Sequence, residues 1–330
     1  MANINDIAQM AGVSKSTVSK AMNGGTDVSE TVRNKILMAA EEMGYLKHKG
    51  QNIAILIRNT AYQQEGDFGF SLIRGFKEMY QDTKISRTHV IIEEIEESLE
   101  KEMKFDEFMA RNKYVACFVI GFSYHDIWLS QIQQSNYPSV LYDNEARGIA
   151  TTAQVGVDNE EAMSSIVSHL VGLGHQKIAY LSGELGSYYS KQRYAAFLKA
   201  IAEHDLSFEE NMFGAAYFVS DCVSQHLPRM LQEGATALVC GHDSIANTAM
   251  NHCKEMGFSV PDQVSVVGFD DIKLASFTSP PLTTIKQDCL QIGKSAFFAL
   301  EGLRNSIPVN VVYLHSELIV RNSTATARKR

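Results

Sequence analysis

The rhythm of apolar and polar positions changes once along this chain, near residue 52, and the change divides it. Before that point apolar residues recur at helical spacing. Ile4, Ile7, Ala8 and Ala11 line one face, Gly12 offers a left-handed stop, and Val18, Ala21 and Met22 line a second face behind Ser14, a candidate N-cap. Val32, Ile36, Ala39, Ala40 and Met43 line a third, from Ser29 to a stop at Gly44. The spacing predicts three short helices, the first two joined by a tight turn. Beyond residue 52, short apolar runs alternate with amphipathic stretches. Strands are expected near 53–57, 89–92, 115–120, 139–142, 178–181, 214–218, 237–240 and 264–268, with helices near 160–171, 189–203, 222–231 and 244–256. Such alternation builds right-handed βαβ units. The expected fold class is an all-α helix-turn-helix headpiece followed by α/β, with two doubly wound parallel-sheet lobes forming a clamshell.

Two helices across a glycine turn make a helix-turn-helix, whose second helix enters the major groove of DNA. Lys15, Ser16, Ser19, Lys20 and Asn23 are left pointing outward on that helix. Lys15, Ser16 and Lys20 are therefore candidates to read base edges, with the hydroxyls and amides facing phosphates. Taken alone, the pattern also fits an ordinary helical hairpin with a solvated lysine face.

The formal net charge of -8 sets DNA binding in an unusual light. Residues 1–50 hold six Lys/Arg against five Asp/Glu, so the whole acidic excess lies in the remainder. Indiscriminate DNA binding is disfavoured by that balance, and affinity must come from local placement and from two headpieces acting together. The five cysteines are scattered and form no C-x-x-C, which points to reduced thiols and a cytoplasmic protein. No apolar run approaches the ~20 residues of a membrane span, so no membrane partner is expected.

Other chemistry finds little support. Cys240, His242, His252 and Cys253 could suggest zinc, but His252 and Cys253 are adjacent on a predicted helix and diverge by ~100°. Gly172-x-Gly174 precedes a strand instead of following one, so it is not a dinucleotide loop. No catalytic constellation emerges, and no catalytic residue, cofactor or metal is expected. The acidic stretch 93–107 reads as a solvated helix face over Leu99, Met103 and the run 105–109. The polar end, 322–330, is expected to be disordered.

Asp6-Ile7-Ala8, Ala11-Gly12-Val13-Ser14, Thr17-Val18-Ser19 and Met22-Asn23-Gly24, with Val28-Ser29, Ala39-Ala40 and Gly44-Tyr45, closely resemble the headpiece of the lactose/galactose repressor family. Gly156-Val157-Asp158-Asn159, Gly174-His175, Ile178-Ala179-Tyr180-Leu181-Ser182-Gly183, Val264-Ser265-Val266-Val267-Gly268-Phe269-Asp270-Asp271 and Pro280-Pro281-Leu282-Thr283-Thr284-Ile285-Lys286-Gln287 are similar to its effector domain, itself akin to periplasmic sugar-binding proteins. The resemblance implies a ligand-responsive regulator, a repressor that binds a pseudo-palindromic double-stranded operator as a homodimer and senses a small sugar-like effector. A cytoplasmic sugar-binding or sugar-processing protein on the same fold is the alternative.

The implied DNA contacts are Ser14, Lys15, Ser16, Thr17, Ser19, Lys20, Asn23 and Val28. Ligands of open α/β sheets bind beyond the C-terminal ends of strands, where Asp143, His242, Asp243 and Asp270 fall. Asp143, Arg193 and Asp270 match positions where the family binds its effector, and Phe68, His242 and Gln287 complete the candidate set. The expected organisation is a headpiece over 1–46, a short linker over 47–52, and an effector and dimerisation domain over 53–330. Within the latter, the first lobe takes about 53–153 and 286–306, the second about 154–282 and 310–322, and 323–330 is a polar tail. Three departures from the family bear on the ligand. Asn59-Thr60-Ala61-Tyr62 stands where the family has Asn-Pro-Phe-Phe or Tyr, His242-Asp243 replaces an Asn-Asp pair, and Cys289 stands where an aromatic residue is usual. The linker is also too short for the family's hinge helix.

Overall fold

Helix α1 (Ile4–Ala11) buries Ile7, Ala8 and Ala11 and stops where Gly12 takes a φ of 65°. The Ser14 hydroxyl then accepts the Thr17 amide at 3.1 Å, satisfying one of the free donors at the start of α2 (Lys15–Met22). Ser29 plays the same part for α3 (Glu30–Glu42), accepting the Val32 amide at 3.4 Å. Ile7, Val18, Ile36 and Ala40 meet in the fully buried centre of this three-helix unit. The computed structural model describes residues 4–22, 28–42, 51–58, 69–82, 88–146 and 150–328. The predicted stop at Gly44 and linker residues 47–50 lie outside them, whereas Asn52 already opens the first strand.

That strand, β1 (Asn52–Ile57), shows why the sheets are parallel and covered. Ile53, Ile55 and Ile57 pack into one core cluster and Ala54 and Leu56 into another, all fully buried, so both faces are apolar and the run is continuous. The first lobe continues with α4 (Phe70–Asp82), β2 (His89–Glu94), α5 (Glu97–Glu102), α6 (Phe105–Arg111), β3 (Tyr114–Ile120), α7 (Ile127–Ile132), β4 (Ser139–Tyr142) and β5 (Thr152–Val157). The second lobe holds α8 (Asn159–Gly172), β6 (Ile178–Gly183), α9 (Tyr188–Glu203), β7 (Phe213–Ala216), α10 (Val219–Gln232), β8 (Ala237–Cys240), α11 (Asp243–Glu255), β9 (Ser265–Asp270) and β10 (Thr283–Lys286). The chain then returns to the first lobe through α12 (Cys289–Arg304) and β11 (Val311–Leu314), and crosses back for β12 (Glu317–Ile319).

The first sheet runs β11-β5-β4-β3-β1-β2 and the second β12-β10-β9-β8-β6-β7, parallel throughout except for the antiparallel pair β10–β12. Strand order reverses at β1/β3 in the first sheet and at β6/β8 in the second. These are the switch points where adjoining loops part and leave a crevice. Helix α12 lies backbone to backbone on α4, since a Cβ on Gly293 would come within 2.0 Å of the Leu72 carbonyl oxygen.

Four expectations change. The lobe boundary at 153/154 cuts through β5, which lies wholly in the first sheet, residues 152–155 pairing with β4 and residues 154–157 with β11. The stretch 310–322 is not all second lobe, because β11 pairs with β5, Val311 beside Gln154. Both are short strands whose sheet is decided by distant pairing and not by local periodicity. The polar tail is packed as far as the described residues run: Ser323 is buried, its hydroxyl donates to the Val266 carbonyl at 2.6 Å and accepts the Thr283 amide at 2.8 Å, and Ala327 donates to Leu173. Small polar residues there complete backbone hydrogen bonds that apolar ones could not. The acidic stretch 93–107 is not wholly solvated, because Glu100 is buried and accepts the Ile127 amide at 3.0 Å.

Candidate functional site

On the headpiece, α2 presents Lys15, Ser16 and Lys20 to solvent, with Thr17 and Ser19 half-buried beside them. Ser14, Ser16 and Thr17 form one hydroxyl cluster, with oxygens 2.7 and 2.8 Å from that of Ser14. The cluster fixes the first turn of the helix and leaves its lysines extended outward. Val28 is half-buried against the headpiece core, a packing position. Asn23 lies outside the described residues.

Between the lobes, the strand ends deliver the second constellation. Asp143 follows β4 and Asp270 closes β9, both in left-handed backbone conformations with φ of 49° and 113° that turn the chain sharply at the sheet edge. Arg193, on α9 and 3% exposed, is drawn between them. Its Nη2 lies 3.5 Å from the Asp143 carboxylate and its Nη1 3.2 Å from that of Asp270, while Nη1 also donates to the Gly241 carbonyl at 2.7 Å. The guanidinium stacks 3.8 Å above the Phe269 ring. Gln287 donates to Asp270 at 2.7 Å, and Tyr142 donates to Gln287 at 3.4 Å. Asp143 belongs to the first lobe and Arg193 and Asp270 to the second, so this ion pair crosses the cleft. Burial raises the Asp270 carboxyl to about 6 against the pull of Arg193, and raises Asp143 in the same way. Burial acts to lower Arg193, but Asp270 and Asp143 outweigh it and hold the guanidinium above its ordinary value.

Next to this cluster, with Tyr189 between them at 5.1 Å from the Arg193 guanidinium, opens a cavity of about 610 Å³, walled by Arg58, Glu97, Gly121, Ser123, His125 and Asp126 from the first lobe and by Gly183, Glu184, Gly186, Ser187, Tyr189, Tyr217 and His242 from the second. Its walls follow β1 and β3 on one side and β6, β7 and β8 on the other, the positions dictated by the two switch points. His242 is kept neutral, lowered to about 4 by burial and by Arg193. Its neighbour Asp243 points away, accepting the Ile272 amide at 2.8 Å and the Thr284 hydroxyl at 2.5 Å, and braces β9 and β10 instead of facing the cavity.

Of the residues singled out in the sequence, Asp143, Arg193, Asp270 and Gln287 come together in the cross-lobe cluster, His242 lines the cavity beside it, and Phe68 lies outside the described residues. Arg58 was legible as the residue after β1. Its partners were not: Nη2 lies 2.7 Å from Asp126, Nη1 lies 3.8 Å from Glu100 and donates to the Ile95 carbonyl at 2.9 Å. The cavity also touches Tyr189, in the first turn of α9, and Tyr217, in the loop after β7, neither of which carries a local signature. Among the described residues no group of three or more His, Cys, Asp or Glu is placed to hold a metal ion, and no helix is long and apolar enough to cross a membrane.

Residues 3–47 match the family described as bacterial regulatory proteins, lacI family, and residues 167–324 match the periplasmic binding protein-like domain. The chain is 27% identical over 297 residues to the HTH-type transcriptional regulator AscG of Escherichia coli strain K12, covering 87% of each chain. It is 28% identical to the HTH-type transcriptional repressor PurR of Vibrio campbellii, covering 98% of each. A transcriptional regulator CelR–cellobiose complex superposes with a TM-score of 0.71 at 20% identity over 98% of this chain and 100% of the other. The Lac repressor dimer bound to operator and the anti-inducer ONPF superposes with 0.68 at 24% identity over 98% and 99%. These two likenesses concern the fold.

Proposed function

Because the chain belongs to the lacI family of bacterial regulators, a DNA-binding transcriptional regulator with a periplasmic-binding-protein-like domain behind its headpiece, we propose that it is a cytoplasmic repressor. In this reading it binds a pseudo-palindromic operator as a homodimer and is released or retained by a sugar-like effector held between the lobes. The observation that carries the reading is a cavity walled by both lobes, with the Asp143–Arg193–Asp270 constellation that bridges them set behind its Tyr189 wall. Carboxylates and a guanidinium can each make paired charge-assisted hydrogen bonds to vicinal hydroxyls. A ligand there touches both lobes at once and so shifts the lobe equilibrium by its difference in affinity for the open and closed states. The names of two relatives accord with it, since AscG and PurR are a regulator and a repressor and the CelR structure holds cellobiose.

The test pairs two measurements on the purified chain. A thermal-shift screen of mono- and disaccharides finds the ligand, which at 100 times its Kd adds ~2.7 kcal/mol of stability. Gel shifts on an operator selected from random DNA then follow the response. Asp143→Ala, Arg193→Ala and Asp270→Ala are expected to lose the ligand response while keeping ligand-free operator binding, because the headpiece has its own core. Unchanged ligand affinity in all three variants would move the sensor site elsewhere.

A further inference from the structure

The charge around the cavity restricts what can enter it. Among the described lining residues the ionised side chains are Arg58, Glu97, Asp126 and Glu184, one cation against three anions. Below them, Arg193 stands between two more carboxylates, those of Asp143 and Asp270. Both guanidiniums are already engaged: Arg58 by Asp126 and the Ile95 carbonyl, Arg193 by both its aspartates and the Gly241 carbonyl. A phosphate or carboxylate is held most strongly by an Arg fork presenting two parallel N–H groups; Arg58 is taken up by Asp126 and Ile95, and Arg193, whose unpaired Nε is buried, is not among the residues lining the cavity. Lysines do not make good the deficit. Lys101 lies 2.6 Å from Glu97 on the same helix, and Lys191 lies over the Tyr124 ring, both outside the cavity lining. The remaining side chains of the lining are the rings of Tyr189 and Tyr217, the Ser123 and Ser187 hydroxyls, and the imidazoles of His125 and His242. Rings of this kind pack against the C–H faces of a pyranose, and hydroxyls with a neutral imidazole suit its oxygens.

From this arrangement we infer that the cleft takes an uncharged or aminated sugar and rejects phosphorylated and carboxylated ones. Glu184 and, beside its partner Lys101, Glu97 face the same space from opposite lobes, and Glu184 is placed to receive an ammonium group. An anionic substituent meets those two carboxylates and the pairs behind them, and Arg58, the only Lys or Arg among the described lining residues, is already paired with Asp126. The inference rests on the cleft being the effector site.

A planted thiol measures the cavity's charge without knowledge of the ligand. A Cβ added to Gly183 meets only the Ser190 hydroxyl at 3.5 Å and His242 at 3.9 Å, ordinary contacts, and all five native cysteines are buried. Gly183→Cys therefore puts one reactive thiol on the wall, and Tyr217→Cys, at a side chain 75% exposed, puts a second at the cavity edge as an independent check. Each full-length variant is treated with a methanethiosulfonate bearing trimethylammonium or sulfonate. After normalisation to free cysteine, the cationic reagent should react faster by on the order of tenfold at low salt. The preference should shrink with added salt, and shrink at low salt when Glu97→Gln and Glu184→Gln are combined with the thiol. Equal rates or a preference for the anion overturn the inference. A second arm separates this from the reading of the cleft. Glucose, cellobiose, glucosamine, glucose 6-phosphate and glucuronate are among matched sugars tested for protection of the thiol and for thermal stabilisation. Protection by a phosphorylated or carboxylated member overturns the charge selectivity and leaves the cleft as the sensor. Stabilising sugars that fail to protect the thiol overturn the cleft itself.

Discussion

Replacing Asp270 by Asn isolates the cost of keeping an ionised carboxylate under the cleft. Asp270 titrates at about 6 in the folded chain against 3.8 for an ordinary Asp, because burial outweighs the help of Arg193 and Gln287. Below pH ~4 the carboxyl is neutral in both folded and unfolded chains and costs nothing. Between pH ~4 and ~6 the folded chain binds more protons than the unfolded one, so stability falls as pH rises, and above ~6 the loss is complete. A difference of this size amounts to about 3 kcal/mol at neutral pH. Asn keeps the shape and can still accept from Arg193 and donate or accept toward Gln287, but it exchanges charge-assisted hydrogen bonds for neutral ones at a loss of about 1 kcal/mol each. The net change at pH 7 is therefore small, and the change in slope is the robust signal. His242, held at about 4, has the opposite sign: its contribution is present above the ordinary histidine value and lost on acidification. Asp243, raised to about 8 chiefly by burial, extends the carboxylate pattern to higher pH. Only the difference between parent and variant removes these shared terms. Urea unfolding at half-unit steps from pH 4 to 7.5 should show the parent losing up to about 3 kcal/mol relative to Asp270→Asn across that window. Parallel stability curves would refute the reasoning, placing the Asp270 carboxyl in an environment no costlier than water.

Lys15→Ala and Lys20→Ala should each weaken operator binding by ~1 to 3 kcal/mol and relax preference at a definable base pair, measured by titration against operator and single-base variants. Equal loss on random DNA would reassign the lysines to phosphate contacts. The seven residues 46–52 span at most ~25 Å extended, against the ~34 Å between half-sites one helical turn apart, so DNA binding should not depend on a leucine wedge at the operator centre. Circular-permutation gel shifts should then show little central bending compared with the 20 to 90° produced by intercalating side chains, and a sharp kink would contradict this.

Local pattern alone was enough for the headpiece, where capping by Ser14, the Gly12 turn and the buried Ile7–Val18–Ile36 centre involve residues close in sequence. It was enough as well for most of the long strands and helices, and for the strand-end aspartates, because a polar residue closing an apolar run is visible wherever the run ends. Pairing over long separations was hidden. Val311 beside Gln154 and Ser323 between Val266 and Thr283 are contacts that four-residue strands and small polar side chains do not announce. The cleft's charge was hidden for the same reason. Arg58, Asp126 and Glu100 lie on different elements, and only the closing of the first sheet sets them together, satisfying the arginine and leaving the cavity with an excess of carboxylates. Periodicity reports which face of an element is buried. Which charges then neutralise one another, and what charge remains for a ligand, depends on distances of a few ångströms between segments that only the folded chain brings together.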